Sequence, residues 1–133
     1  MTKKITGSNL RAFTLTELLV VLAIIGILVL LALPNLMPLI SKARSSEAKQ
    51  NLAYLHSLQK AYYLENSKYS AELNVIGFEL EDAESAQYTY EIVSAGNTGY
   101  KARATAKTDF DNDGTINVWE IDQQKNLKEV TPD

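Results

Sequence analysis

Three aspartates at alternating positions, Asp109, Asp111 and Asp113, precede Gly114 and Thr115, with Glu120 further on in the run Asp-Phe-Asp-Asn-Asp-Gly-Thr-Ile-Asn-Val-Trp-Glu. The spacing is that of a helix-flanked calcium loop, where alternating carboxylates and a last glutamate surround a hard cation and a glycine makes the sharp turn. The flanks do not fit that motif. Ala104 to Lys107 and Ile116 to Ile121 have strand character, and a strand after the loop keeps Glu120 from swinging back to an ion. Two readings therefore stand: a calcium-binding β-turn made by Asp109, Asp111, Asp113 and the Thr115 carbonyl, or an acidic turn without a metal. A structural calcium ion is the only cofactor these residues could hold, and no cofactor is required.

The second residue with chemical potential is Glu17, at the leading edge of an uncharged stretch that runs from Leu18 to Ile40. An ionised carboxylate in hydrocarbon costs at least about 2.5 kcal/mol even on lenient insertion scales. Glu17 is either kept wet at headgroup level or compensated by a cation, and a new amino terminus created just upstream would be such a cation. Beyond these two places little chemistry is offered. The chain has no cysteine, hence no disulfide, thiolate metal site or thiol nucleophile. His56 is the only histidine, and no carboxylate and nucleophile are spaced around it. We expect His56 to be a surface or partly packed residue, the seven tyrosines and Trp119 to be packing residues, and the protein not to be an enzyme.

The elements that must position these residues follow from the pattern. Residues 1–12 hold Lys3, Lys4 and Arg11 and no acid, a composition retained on the cytoplasmic face by the positive-inside bias. Leu18 to Ile40 would span roughly 35 Å at about 1.5 Å per residue, enough to cross a bilayer core. A secretory signal has a shorter apolar region ending at a small-x-small site, so an anchored precursor is the better reading. From Ser41 to Glu65 there is no glycine or proline, and Ala48, Leu52, Leu55, Leu58 and Tyr62 recur at steps of three or four, which continues the helix with one sticky face. Pro34 and Pro38 each remove a backbone bond, so a bend or local melting is expected there. Residues 67–80 read as loop. Tyr88, Tyr90 and Ile92 share one parity and Tyr100, Ala102, Ala104 and Ala106 another, with Ser-Ala-Gly-Asn-Thr-Gly between them, which predicts a hairpin. Further strands are expected at 115–122 and 126–130. The fold class is α+β: a long amino-terminal helix packed on a small antiparallel sheet of three to four strands.

Charge excludes one class of partner. The chain has 13 basic and 16 acidic side chains, and removing residues 1–12 leaves 10 against 16, a net of −6. Such a surface repels phosphate, so nucleic acid is not indicated.

The stretch Arg11-Ala-Phe-Thr-Leu-Thr-Glu-Leu-Leu-Val-Val-Leu-Ala-Ile-Ile-Gly-Ile-Leu, with Ala32-Leu-Pro-Asn-Leu and the later Tyr62-Tyr-Leu-Glu-Asn-Ser-Lys-Tyr69, resembles type IV prepilins and the related pseudopilins of type II secretion. The resemblance implies removal of residues 1–12 by prepilin peptidase between Ala12 and Phe13, then N-methylation of the Phe13 amine. Ala12 stands where the family usually has glycine. It further implies that Glu17 sets assembly and register against the Phe13 amine of an adjoining subunit, and that Pro34 is a helix break. Residues 13–40 would form the membrane and filament core, 41–65 the amphipathic half of the helix, and 66–133 a globular head. The implied partners are copies of the chain itself, minor subunits, the peptidase, an inner-membrane assembly platform and membrane lipid. The implied route runs from a single-pass bacterial inner-membrane precursor to an extracellular pilus. The alternative is a pseudopilin in a periplasmic piston. The head favours the pilin, because the Thr-x-x-Gly-Leu type of loop common after the helix in major pseudopilins is missing.

Overall fold

The structure, a computed structural model, describes Thr2, Gly7 and residues 11–133. The predicted leader, Lys3 and Lys4 included, falls for most of its length outside the described residues. Helix α1 runs over Leu15–Asn66 and is followed by strands β1 (Tyr88–Ala95), β2 (Tyr100–Ala106), β3 (Val118–Asp122) and β4 (Leu127–Thr131). The chain divides into two compact units, Met1–Asn35 and Leu36–Asp133.

In the first unit the helix is apolar on every side and none of its most apolar window is buried within the chain. Side chains such as Leu22, Leu30 and Leu31 are about two-thirds exposed, which suits lipid or other helices and not water. The helix assignment passes through Pro34 and Pro38 without interruption, so the predicted melting is not present. Only the bonds that the two missing N–H groups would have made are lost, and the turns on either side carry the helix across them.

In the second unit the sheet has the order β1-β2-β3-β4, with every pair antiparallel. The predicted hairpin and both later strands are found. Alternation along β2 buries Tyr100, Ala102, Ala104 and Ala106 and turns Lys101, Arg103 and Thr105 outward. Alanines on the inner face leave room for the helix to lie close, and they share one core with Ala48, Leu52, Leu55, Tyr88, Trp119 and Ile121. Leu52 and Leu55 are fully buried, so cutting either to alanine would cost about 2 to 5 kcal/mol.

Polar clamps fix what apolar periodicity leaves open. Gln59, fully buried on α1, donates Nε2–H to the Ser70 carbonyl at 2.7 Å and accepts the Ser70 N–H at 3.0 Å, pinning the long loop. The Glu47 carboxylate accepts the Gln87 N–H just before β1 begins. His56 Nδ1 meets the Tyr100 hydroxyl at 2.7 Å; burial, then the charges of Lys125 and Lys60, lower its pKa. His56 is therefore partly packed, as expected.

Burial also acts on the tyrosines of the sheet. It pushes the Tyr90 hydroxyl up to about 12 and raises those of Tyr88 and Tyr100 further. The folded state keeps these protons at a pH where the unfolded chain, with a tyrosine pKa of about 10, has lost them. Their contribution to stability is complete below about pH 10 and is lost as pH rises through the folded values. In an alkaline titration the phenolate absorbance of Tyr88, Tyr90 and Tyr100 should appear together with loss of the circular dichroism of the head.

Candidate functional site

At the start of α1 the backbone N–H of Thr14 donates to Glu17 Oε2 at 2.8 Å, and the Glu17 N–H donates to Thr14 Oγ1 at 3.2 Å. This reciprocal pair is a capping box. It satisfies two backbone donors that a helix amino terminus otherwise leaves bare, and it sets a negative charge where the helix dipole favours one. Sequence reasoning took Glu17 for assembly and missed Thr14, although the spacing Thr-x-x-Glu was the signal. Glu17 Oε2 is used in the cap, and among the described residues Oε1 has no hydrogen-bond partner. Phe13, directly before the cap, is 80% exposed.

The aspartate loop is the second candidate. Asp109 Oδ1 accepts the N–H groups of Asp111 and Asn112, and Oδ2 accepts that of Gly114 at 2.7 Å. The Gly114 bond foremost, with the other loop N–H groups, holds the Asp109 carboxyl below the usual range. Asn112 at φ 61° and Gly114 at φ 92° make the left-handed turns that aim these donors inward. Asp113 accepts both the N–H and the hydroxyl of Thr115.

Asp133 joins Asp109, Asp111 and Asp113, and one ligand oxygen from each of the four lies within 4.8 Å of the others. Its Oδ2 accepts the Phe110 N–H, whereas Oδ1 is buried and has no hydrogen-bond partner. Desolvation foremost, with the charges of Asp113 and Asp133, raises the pKa of the Asp111 carboxyl. No sequence signal pointed to Asp133. It arrives through the β3–β4 pairing, which returns the end of the chain to the loop.

The structure corrects the reading of Glu120 as a ligand. Val118 already belongs to β3, and alternation turns Trp119 and Ile121 into the core and Glu120 to the outer face. There Glu120 Oε1 accepts from Arg103 Nη2 at 2.7 Å and Nε at 3.0 Å, and Lys101 lies 3.5 Å from Oε2. Desolvation raises its pKa, but Arg103 and Lys101 outweigh that and hold the carboxyl low. The ligand set the loop offers is Asp109, Asp111, Asp113 and Asp133, all hard oxygen donors suited to calcium.

Comparisons with known proteins bear on both ends of the chain. A family model described as "Prokaryotic N-terminal methylation motif" matches residues 8–33, and one described as "Type IV minor pilin ComP, DNA uptake sequence receptor" matches residues 34–116. The chain is 42% identical over 85 residues to "Type IV major pilin protein PilA" of Myxococcus xanthus, covering 64% of this chain but only 38% of that protein. It is 33% identical over 93 residues to "Type IV wide pilus major component PilA4" of Thermus thermophilus, covering 69% of this chain and 70% of the relative. To "Type II secretion system core protein G" of Pectobacterium carotovorum subsp. carotovorum it is 39% identical over 64 residues, covering 48% of this chain and 41% of that protein. An apolar helix with a glutamate at its capped start fits the methylation motif, and the second match takes in the head half of that helix and the first two strands. The chain is a membrane-anchored structural subunit and belongs to the type IV pilin family.

Proposed function

We propose that the chain is a subunit of an extracellular type IV pilus. It is inserted in the inner membrane, cleaved between Ala12 and Phe13, N-methylated on Phe13, and polymerised through its apolar helix with copies of itself and minor subunits. The observation that carries this reading is the helix surface itself, exposed on all sides and led by one fixed carboxylate. In the bilayer lipid covers that surface, and in a filament other helices replace the lipid. Contacts that repeat head to tail without closing generate an open helical polymer. Pro34 is where the helix loosens when a subunit leaves the membrane, since the carbonyl four residues earlier lacks its donor.

The alternative, a pseudopilin in a periplasmic piston, is supported by the secretion relatives. The pilus reading is favoured because the pilin alignments run for 85 and 93 residues, whereas those to core protein G run for 59 to 64. The DNA role named for the matching family model is not carried over: from Phe13 onward the chain is net acidic, which opposes phosphate at long range. The test is the intact mass and amino-terminal sequence of the chain from a sheared extracellular fraction of its host. Mature chain beginning at N-methylated Phe13 in that fraction supports the pilus. The same chain confined to membrane and periplasm supports the piston, and a chain still beginning at Met1 overturns both.

The head takes a structural calcium ion at Asp109, Asp111, Asp113 and Asp133, a reading supported by the crowded carboxylates and by the unpartnered Asp133 oxygen. Calcium at a hundredfold excess over its dissociation constant should stabilise the head by about 2.7 kcal/mol. The check is thermal unfolding with calcium against chelator. Asp111→Asn should abolish the difference, and equal midpoints for the parent chain would remove the ion from the account.

A further inference from the structure

Two grooves of opposite charge lie on the head, both within the unit Leu36–Asp133. One, of about 430 Å³, runs between α1 and the β3–β4 turn and is lined by His56, Lys60, Tyr63, Leu64, Tyr69 and Lys125. The other, of about 510 Å³, runs between α1 and the loop before β1, with Glu47, Tyr54, Glu79, Glu81 and Asp82 in its wall. Helical spacing places them. Glu47, Asn51 and Tyr54 each stand one residue before a member of the buried stripe, Ala48, Leu52 or Leu55, whereas His56, Lys60 and Tyr63 each stand one residue after Leu55, Gln59 or Tyr62. One residue turns the helix by about 100°, so the grooves lie on opposite flanks of the stripe. Lys60 follows Glu47 by 13 positions, which also sets the two about 20 Å apart along the axis.

The signs survive when neighbouring charges are counted. At the first groove Lys60, Lys125 and Lys68 stand against Glu65 and Asp122, and Asp122 already accepts the N–H groups of Gln124 and Asn126 and the Asn126 amide. At the second, Glu47, Glu79, Glu81, Asp82 and Glu84 stand against Lys107, which donates to the Ala83 carbonyl at 2.9 Å. Glu47 is engaged by the Gln87 N–H, and Asp82 by those of Glu84 and Ser85. Glu79, Glu81, Lys60 and Lys125 are exposed, and among the described residues their charged groups make no ion pair. Each groove also offers apolar area beside its charges, Leu64 at 77% exposure on the basic side and Tyr54 at 46% on the acidic side.

A second copy of the chain is the occupant these surfaces describe. Like groove against like groove sets equal charges face to face, which excludes a symmetric pair at either one. Basic groove against acidic groove is complementary, and because the two lie on opposite flanks and at different heights, the contact joins different surfaces of the two copies. Each added copy then leaves one groove of each sign open, so the contact repeats without closing. We propose that the basic groove of one copy receives residues 79–84 of the next, with Lys60 and Lys125 paired to Glu79 and Glu81 and Leu64 against Tyr54. The contact rests on the pilus reading and adds to the apolar helix a polar joint that fixes how each head is turned and stepped against its neighbour.

The full chain in its host gives the test. Lys60→Glu with Lys125→Glu should lower filament mass in a sheared fraction about tenfold or more, and Glu79→Lys with Glu81→Lys should do the same, since each sets like charges together. All four substitutions in one chain should recover to within about threefold of the parent, which two independent injuries to folding would not do. Because the chain has no cysteine, Lys60→Cys and Glu81→Cys in one chain, treated with a short bismaleimide, should give a ladder of dimers, trimers and longer species. Either cysteine alone should give nothing beyond a dimer. Parental yield from both reversed pairs, or filaments of the double-cysteine chain without a ladder, overturns the contact and leaves the pilus reading in place. Adducts of the Lys60→Cys chain with a different protein in place of the ladder give the groove to another partner and overturn it too. A parent chain absent from the sheared fraction refutes the pilus reading, and the ladder in membrane and periplasm, present or absent, then decides the contact by itself.

Discussion

Glu17→Ala should give a precursor that is still cleaved at Ala12 and Phe13 but yields filaments at about a hundredth of the parental level or less, the effect of removing one partner of a buried ion pair worth about 3 to 5 kcal/mol. The same substitution also removes the capping box, which is worth only about 0.5 to 2 kcal/mol and acts within one chain. Glu17→Gln separates the two effects, because glutamine at the third helical position still closes a capping box but carries no charge to pair with an ammonium. If the pair with a neighbouring Phe13 amine governs assembly, glutamine should fail almost as badly as alanine. Thr14→Ala, which breaks the cap and keeps the charge, should retain most of the yield. The readout is subunit mass in a sheared filament fraction against mature subunit in the membrane. Normal yield from Glu17→Ala removes the carboxylate from the mechanism, and rescue by Glu17→Gln assigns it to the cap.

Most of this fold was legible because it rests on periodicity. The three-to-four step of Ala48, Leu52 and Leu55 gave the buried stripe of the helix, and the two-residue step of Tyr100, Ala102, Ala104 and Ala106 gave the inner face of β2. What remained hidden depends on groups that carry no period. Gln59 sits on the apolar stripe and is fully buried, although as a polar residue it breaks the pattern; its reason is Ser70, which only the folded loop brings to it. Asp133 is remote in sequence from the loop it completes. Glu120 is the instructive case: the calcium-loop spacing claimed it, whereas strand parity assigned it to the outer face, and parity prevailed because Trp119 beside it has a large ring to bury. Spacing names a ligand only when the backbone between the ligands has the conformation that the motif assumes.

The same dependence on unperiodic polar residues makes Asn117 the most sensitive position in the head. It is 2% exposed, and its side chain makes four hydrogen bonds. Oδ1 accepts from the Tyr88 hydroxyl at 2.7 Å and from Trp119 Nε1 at 2.8 Å, and Nδ2 donates to Glu129 Oε1 at 2.7 Å and to the Thr131 carbonyl at 3.0 Å. Its own carbonyl accepts the Ala106 N–H, so one residue ties β1, β2, β3 and β4 together beside the register shift at Val118. Asn117→Leu supplies apolar volume but leaves two buried donors, the Tyr88 hydroxyl and the Trp119 indole, without an acceptor, at about 1 to 3 kcal/mol each. A loss of about 4 kcal/mol is expected, which for a head of this size lowers the unfolding midpoint by roughly 15 to 30 °C. Asn117→Asp keeps the acceptor and loses the donor, and it sets a second carboxylate against Glu129. It should therefore be destabilised at neutral pH and recover as pH falls, because the new carboxyl group, once protonated, can donate to Glu129 again. Thermal unfolding of the full chain in detergent, followed by Trp119 fluorescence, measures both variants. A leucine variant within about 1 kcal/mol of the parent would mean that Tyr88 and Trp119 find other acceptors and that the hub is not what holds the four strands in register.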